Sequence, residues 1–176
     1  MSEASRPPDF ISLELHRDND RAIERWVRRI ALAVLLGLIV VAVANVFGQR
    51  PSTDEVVASA ATLQVTGPHA IRGGLLYEAK IHVVAASGLD RPTIVLAEGW
   101  LDGFTLNSIV PQPLKETSEP DGVALAFAPL AADETLTVFL SSHVDPTTVG
   151  RRSQGVRLRD GAQGLAELTR TVTVFP

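Results

Sequence analysis

Residues 30–47 read IALAVLLGLIVVAVANVF, with no charged side chain and a single amide. A run this long without a polar face predicts a membrane helix, not an amphipathic core helix. At 1.5 Å of rise per residue it spans about 27 Å, close to the hydrocarbon thickness of a bilayer. After it the pattern changes to short runs in which apolar and polar positions alternate, broken by Gly, Pro and Asp. Period two points to strands with one buried face. The longest such run is 75–86, LLYEAKIHVVAA, where Tyr77, Ala79, Ile81, Val83 and Ala85 share the apolar face. Leu136, Val138 and Leu140 are expected opposite or beside that face on a neighbouring strand. Further β-prone runs fall at 62–66, 93–97, 123–127, 135–144, 154–158 and 168–175. About seven or eight strands, with no helical pattern of 10–15 residues between them, predict a sandwich and not a βαβ sheet. Residues 162–169, AQGLAELT, read as one helical turn or a loop.

The chain thus divides into a tail (1–29), a transmembrane helix (30–47), a Gly- and Pro-containing linker (48–59) and a β domain (60–176). In the tail, Asp18-Asn19-Asp20 is a helix start, and Glu24 and Arg28 are spaced as a helical ion pair. A helix is expected to begin near Asn19 and run into the apolar stretch. Phe10, Ile11, Leu13 and Leu15 form a small apolar patch suited to lipid contact or to docking. Six arginines (Arg6, Arg17, Arg21, Arg25, Arg28 and Arg29) precede the run, and only Arg50 lies shortly after it. By the positive-inside rule the N-terminus stays in the cytoplasm and the β domain lies outside, in the cell envelope. The rival is a cleaved signal peptide, with Arg28-Arg29 ahead of the run and Ala42-Val43-Ala44 as a cleavage form. The apolar run exceeds the usual 7–15 residues of a signal, and the tail carries six acids, so an uncleaved anchor is expected.

Composition narrows the chemistry. The chain has no cysteine, which excludes disulfides, thiolate metal sites and a cysteine nucleophile. A net charge of −4 leaves no nucleic-acid footprint. The four histidines (His16, His69, His82 and His143) are scattered; His82 falls on the polar face of its strand. His143 and Asp145 make two metal ligands without a third, no Gly-x-Ser-x-Gly elbow is present, and no phosphate loop opens a helix. No cofactor, metal or catalytic set is therefore expected. The most distinctive stretch is 98–107, EGWLDGFTLN, which sets Trp100, Asp102 and Phe104 among glycines. It reads either as core aromatics at a bend or as a contact loop that anchors a partner. Arg157 and Arg159 would share a strand face, as a patch for an acidic partner or as charges that block strand pairing. Residues 115–122, KETSEPDG, read as a solvated hairpin loop.

Residues 122–161 resemble the second half of bacterial immunoglobulin-like modules of the CARDB type. Leu130, Ala131, Glu134 and Thr135 match that family's Leu-Ala-x-Gly-Glu-Thr turn, with Asp133 where Gly is usual. The resemblance implies a sandwich that presents surfaces and runs no reaction. The tail–helix–sandwich layout is also similar to that of actinobacterial membrane proteins. The expected fold is therefore mainly β, an immunoglobulin-like β-sandwich preceded by one transmembrane α-helix. The expected function is a membrane-tethered, non-enzymatic module that recruits or stabilises another envelope or membrane protein, besides contacting the lipid bilayer through its helix. An envelope hydrolase or ligand-sensing domain, with a site assembled only in the fold, is the alternative. A deep pocket with converging polar groups would favour the alternative, and an exposed apolar patch would favour the module.

Overall fold

The computed structural model describes residues 11–43 and 50–176, with helix side chains from Glu24 onward. Two compact units result, divided between Val46 and Phe47. The first contains one helix, α1 (Ile11–Val43). It starts earlier than the Asp18-Asn19-Asp20 signal suggested. Most of the tail is thus helical, as a stretch without Gly or Pro permits. Residues 44–47 of the expected span lie outside the described residues, as do the side chains of Ile11, Leu13 and Leu15. Within α1, Glu24–Val43 is long and apolar enough to cross a membrane or to serve as a signal sequence. Its large apolar side chains, such as Ile30, Leu32, Leu36 and Leu38, are exposed, so it is no core helix.

The second unit is a β-sandwich. Its strands are β1 (Pro51–Val57), β2 (Ala61–Pro68), β3 (Ala70–Arg72), β4 (Leu76–Ala85), β5 (Pro92–Ala97), β6 (Phe104–Val110) and β7 (Lys115–Glu119). They continue as β8 (Gly122–Ala126), β9 (Thr135–Val144), β10 (Gly150–Ser153), β11 (Val156–Asp160), β12 (Gln163–Leu168) and β13 (Thr171–Phe175). One sheet has the order β1-β2-β4-β9-β6, the second β12-β11-β5-β8-β7, and a small third sheet β10-β13-β3. All pairs are antiparallel except β13 with β3.

The long period-two run becomes β4, at the centre of the first sheet. Tyr77, Ile81 and Val83 are fully buried, and Val83, Ile81 and Ala79 pair in register with Leu136, Val138 and Leu140 of β9. His82 faces outward and bonds Thr137 at 2.8 Å. Ile94, Leu96, Leu125, Val156 and Leu158 complete the core from the second sheet.

Three segments given another assignment are strands, and β3, β6 and β10 form where no strand was expected. The stretch assigned to a linker contains β1, which pairs along its whole length with β2. Its polar sequence hides the strand because β1 is an edge, with its residues exposed or half-buried. Residues 115–122 form β7 and the turn of a hairpin onto β8, and not a loop. Residues 163–168 are β12, paired with β11, where sheet pairing overrides the helical propensity of Ala, Leu and Glu.

The turn that carries the family resemblance has a physical explanation. Asp133, at the Gly position, has φ 65°, a left-handed conformation that Asp tolerates better than most residues. The Glu134 carboxylate accepts the Ala131 amide at 2.7 Å, closing the turn. The Asp133 amide donates to the Ala85 carbonyl at 2.8 Å, so the turn is stitched to the end of β4.

Candidate functional site

The sequence-predicted contact loop turns inward. Trp100 and Phe104 are 3% and 4% exposed, and both pack edge-on against Tyr77, at centroid distances of 6.2 and 5.4 Å. The indole N–H donates to the Gly155 carbonyl at 2.9 Å. The flanking glycines are needed for close packing. A Cβ at Gly99 would overlap the Ser153 carbonyl, and one at Gly103, where φ is +76°, would strike Thr148. Trp100 and Phe104 are therefore core aromatics at a bend and no anchor for a partner. Asp102 is exposed, and its carboxylate lies 2.9 Å from Arg152 Nε.

Arg157 and Arg159 share the outer face of β11, but they form no free cationic patch. Arg157 bonds Asp121 and Arg159 bonds Glu119, both from the β7–β8 hairpin. The Arg157 hydrogen bond holds the Asp121 carboxyl below the usual carboxylate range. These arms cross β5 and β8, whose outer-face residues Val95 and Ala124 are buried although they lie outside the main core. The arginines thus act as a strap across the second sheet.

A polar seam runs into the core beside Tyr77. The Tyr77 hydroxyl donates to Gln154 Oε1 at 2.6 Å, and the backbone N–H of Gln154 donates to the Arg170 carbonyl at 2.7 Å. The Arg170 guanidinium, with no exposed side-chain surface, donates to the carbonyls of Val65 and Gly67 and lies 3.7 Å from the Asp54 carboxylate. His69 bridges Asp54, at 3.3 Å, and the Thr171 carbonyl, at 3.0 Å. Burial pushes the Tyr77 phenol up to about 12, against the opposing pull of the Arg170 charge and the Gln154 hydrogen bond. The seam ties β1, β2, β4 and the strand ends around 154 and 170 together. Its innermost groups are sealed from solvent, so its geometry is that of a brace and not of a site a substrate reaches.

His143 lies close enough to Asp145 to act on its charge, but no third ligand joins them among the described residues. Asp145 caps its own turn by accepting the Thr147 amide and hydroxyl, which hold its carboxyl below the usual range. Among the described residues no three His, Cys, Asp or Glu side chains group to hold a metal ion.

The surface feature that stands out is apolar. On the outer face of the first sheet, one row runs Thr53–Thr66–Lys80–Phe139–Val110 across five strands. Phe139 and Val110 are neighbours in it, 54% and 56% exposed. Pro51, Pro68, Ser108 and Ser141 line a shallow depression beside them. The pair's immediate neighbours on the face are Lys80, Thr66, Ser108 and Ser141, and further along the same face lie the exposed Val57 and Leu76. The signal was in the sequence: Phe139 sits out of phase with Val138 and Leu140, which period two assigns to the core.

Neither a protein-family model nor a curated protein sequence matches the chain. Among solved structures, the CARDB domain of a Pyrococcus furiosus protein, in complex with di-metal ions, is similar with a TM-score of 0.41 and 16% identity, over 69% of this chain and 95% of that one. CaCohA2 from Clostridium acetobutylicum is similar with a TM-score of 0.43 and 14% identity, over 66% and 92%. A non-cellulosomal cohesin from Archaeoglobus fulgidus has a TM-score of 0.40 and 10% identity, over 71% and 92%. The sandwich assignment rests on the strand pairing described above.

Proposed function

We propose that the chain is a membrane-anchored extracytoplasmic binding module that recruits or stabilises another envelope or membrane protein. The carrying observation is the exposed Phe139–Val110 pair, adjacent on the outer face of the first sheet. A large aromatic ring left in water beside a second apolar side chain gains free energy when a partner covers it. The anchor half of the reading is supported by the apolar stretch of α1 and by the arginines that precede it.

The test uses the full chain purified in mild detergent with its bound proteins. Phe139→Ser with Val110→Ser should leave the thermal unfolding of the β domain close to that of the parent, because both side chains are already half in water. The same change should deplete a specific co-purifying membrane or envelope protein. Retention of every co-purifying protein at the parent level would refute the role given to this face.

A further inference from the structure

We propose that the end of the sandwich at which the chain enters β1 is a lipid-contacting surface, seated on the interface of the bilayer that holds α1. Strand pairing defines this end. Every pair in the first sheet is antiparallel, so β1, β4 and β6 begin there and β2 and β9 finish there. The segments beyond the strands are tied to one another. The Gly73 N–H donates to the Phe175 carbonyl at 2.8 Å, that of Gly74 to Val144 at 3.0 Å, and that of Asp145 to Gly103 at 3.0 Å. Nine large apolar side chains of the sandwich are exposed among the described residues, and five of them belong to this end: Leu75, Leu76, Leu101, Val149 and Phe175. They come from four separate segments, so the alternation of no single strand accounts for them. An exposed apolar cluster of this kind marks a surface that another phase or molecule covers.

The length of the connection identifies the occupant. Only residues 48–50 separate Pro51 from the apolar run 30–47. Four Cα steps reach about 14 Å at full extension, so Pro51 stays within that distance of the end of the run. Apolar side chains held so close to a bilayer meet its interface at high effective concentration. A surface too small to bind a membrane from solution then suffices. Arg72 and Arg151, exposed at the same end, suit lipid phosphates. Two acids of this end are engaged within the domain, Asp102 by Arg152 and Asp145 by Thr147. This seating rests on the anchored reading of α1. It leaves the Phe139–Val110 pair, on the sheet face, open to a protein partner.

The chain has no cysteine, so each introduced thiol is the only labelling site. The full chain is reconstituted into vesicles of phosphatidylethanolamine and phosphatidylglycerol. An environment-sensitive fluorophore on Val149→Cys should lose most of its emission when lipids carry a nitroxide near the top of the acyl chain. The same label on Leu114→Cys, beside the Ala126 end of β8 and so at the opposite end of the second sheet from Leu101, should keep its emission. Leu36→Cys, within α1, reports the anchor and should be quenched by a nitroxide deep in the chain. Adding Leu75→Ser, Leu76→Ser and Phe175→Ser should restore the emission of the Val149 label, with thermal unfolding unchanged because all three side chains are exposed. Quenching at Leu36 without quenching at Val149 would overturn this surface and leave the anchor standing. No quenching at Leu36 would overturn the anchor and this surface with it. Equal quenching at Val149 and Leu114, or a label at Val149 still quenched in the serine variant, would also overturn it, because lipid contact would then owe nothing to the apolar end.

Discussion

Replacing Trp100 or Phe104 by Ala is expected to destabilise the β domain by about 3–5 kcal/mol each, the cost of deleting a large buried ring. Both rings lean on Tyr77, and Trp100 also holds the Gly155 carbonyl, so each truncation leaves a cavity beside a buried polar seam. A domain of this size has a stability of about 5–15 kcal/mol, so the double variant should lie near or beyond the unfolding threshold. The two losses should not add, because the rings share a neighbour. Urea unfolding of the single and double variants measures this. Parent-like unfolding for either single variant would return the residue to the surface and restore the contact-loop reading.

The second large effect is expected at Arg170. Its guanidinium is fully buried, satisfies the carbonyls of Val65 and Gly67, and faces Asp54. Arg170→Met fills similar space but removes the charged donors to these two carbonyls and leaves the Asp54 carboxylate without its counter-charge. Losing the hydrogen bonds of a buried charged group costs about 1.5–3 kcal/mol. Asp54→Asn should cost clearly less, because the Asp54 side chain is 34% exposed and water screens it. Equal losses from the two variants, or a neutral Arg170→Met, would show that the seam does not brace β1 and β2 as the geometry indicates.

What the sequence discloses, and what it hides, follows from where apolar side chains are needed. The apolar stretch of α1 and the central strands β4 and β9 stand out because one whole face, or all faces, must avoid water. The strands that escaped notice are edges or short: β1, β3, β6, β7, β10 and β12. Their side chains meet solvent on most sides, so Ser-Thr-Asp-Glu in β1 or Lys-Glu-Thr-Ser-Glu in β7 satisfies the sheet without alternation. Their pairing is imposed by neighbours distant in sequence, as β12 shows by overriding its own helical propensity. The glycines around Trp100 were ambiguous for a different reason. Glycine marks close backbone approach whether the neighbour is a partner or the protein itself, and only the packing against Ser153 and Thr148 decides. Arg157 and Arg159 were visible as a pair, but the hairpin acids that neutralise them lie about 40 residues away in sequence. The seam of Tyr77, Gln154, Arg170 and Asp54 left no sequence signal, because buried polar residues look like solvated ones until their partners are known. Phe139 was legible, as an aromatic on the wrong phase of an otherwise regular strand.

The most direct measurement asks where the β domain resides and whether it keeps its tether. Lys115→Cys places the chain's only thiol on an exposed position of β7. In intact cells, a membrane-impermeant maleimide should label this variant without any opening of the membrane. The labelled protein should remain full-length in the carbonate-washed membrane pellet. Labelling only after permeabilisation, or a labelled product that is released and begins after Ala44, would contradict a membrane-anchored extracytoplasmic module.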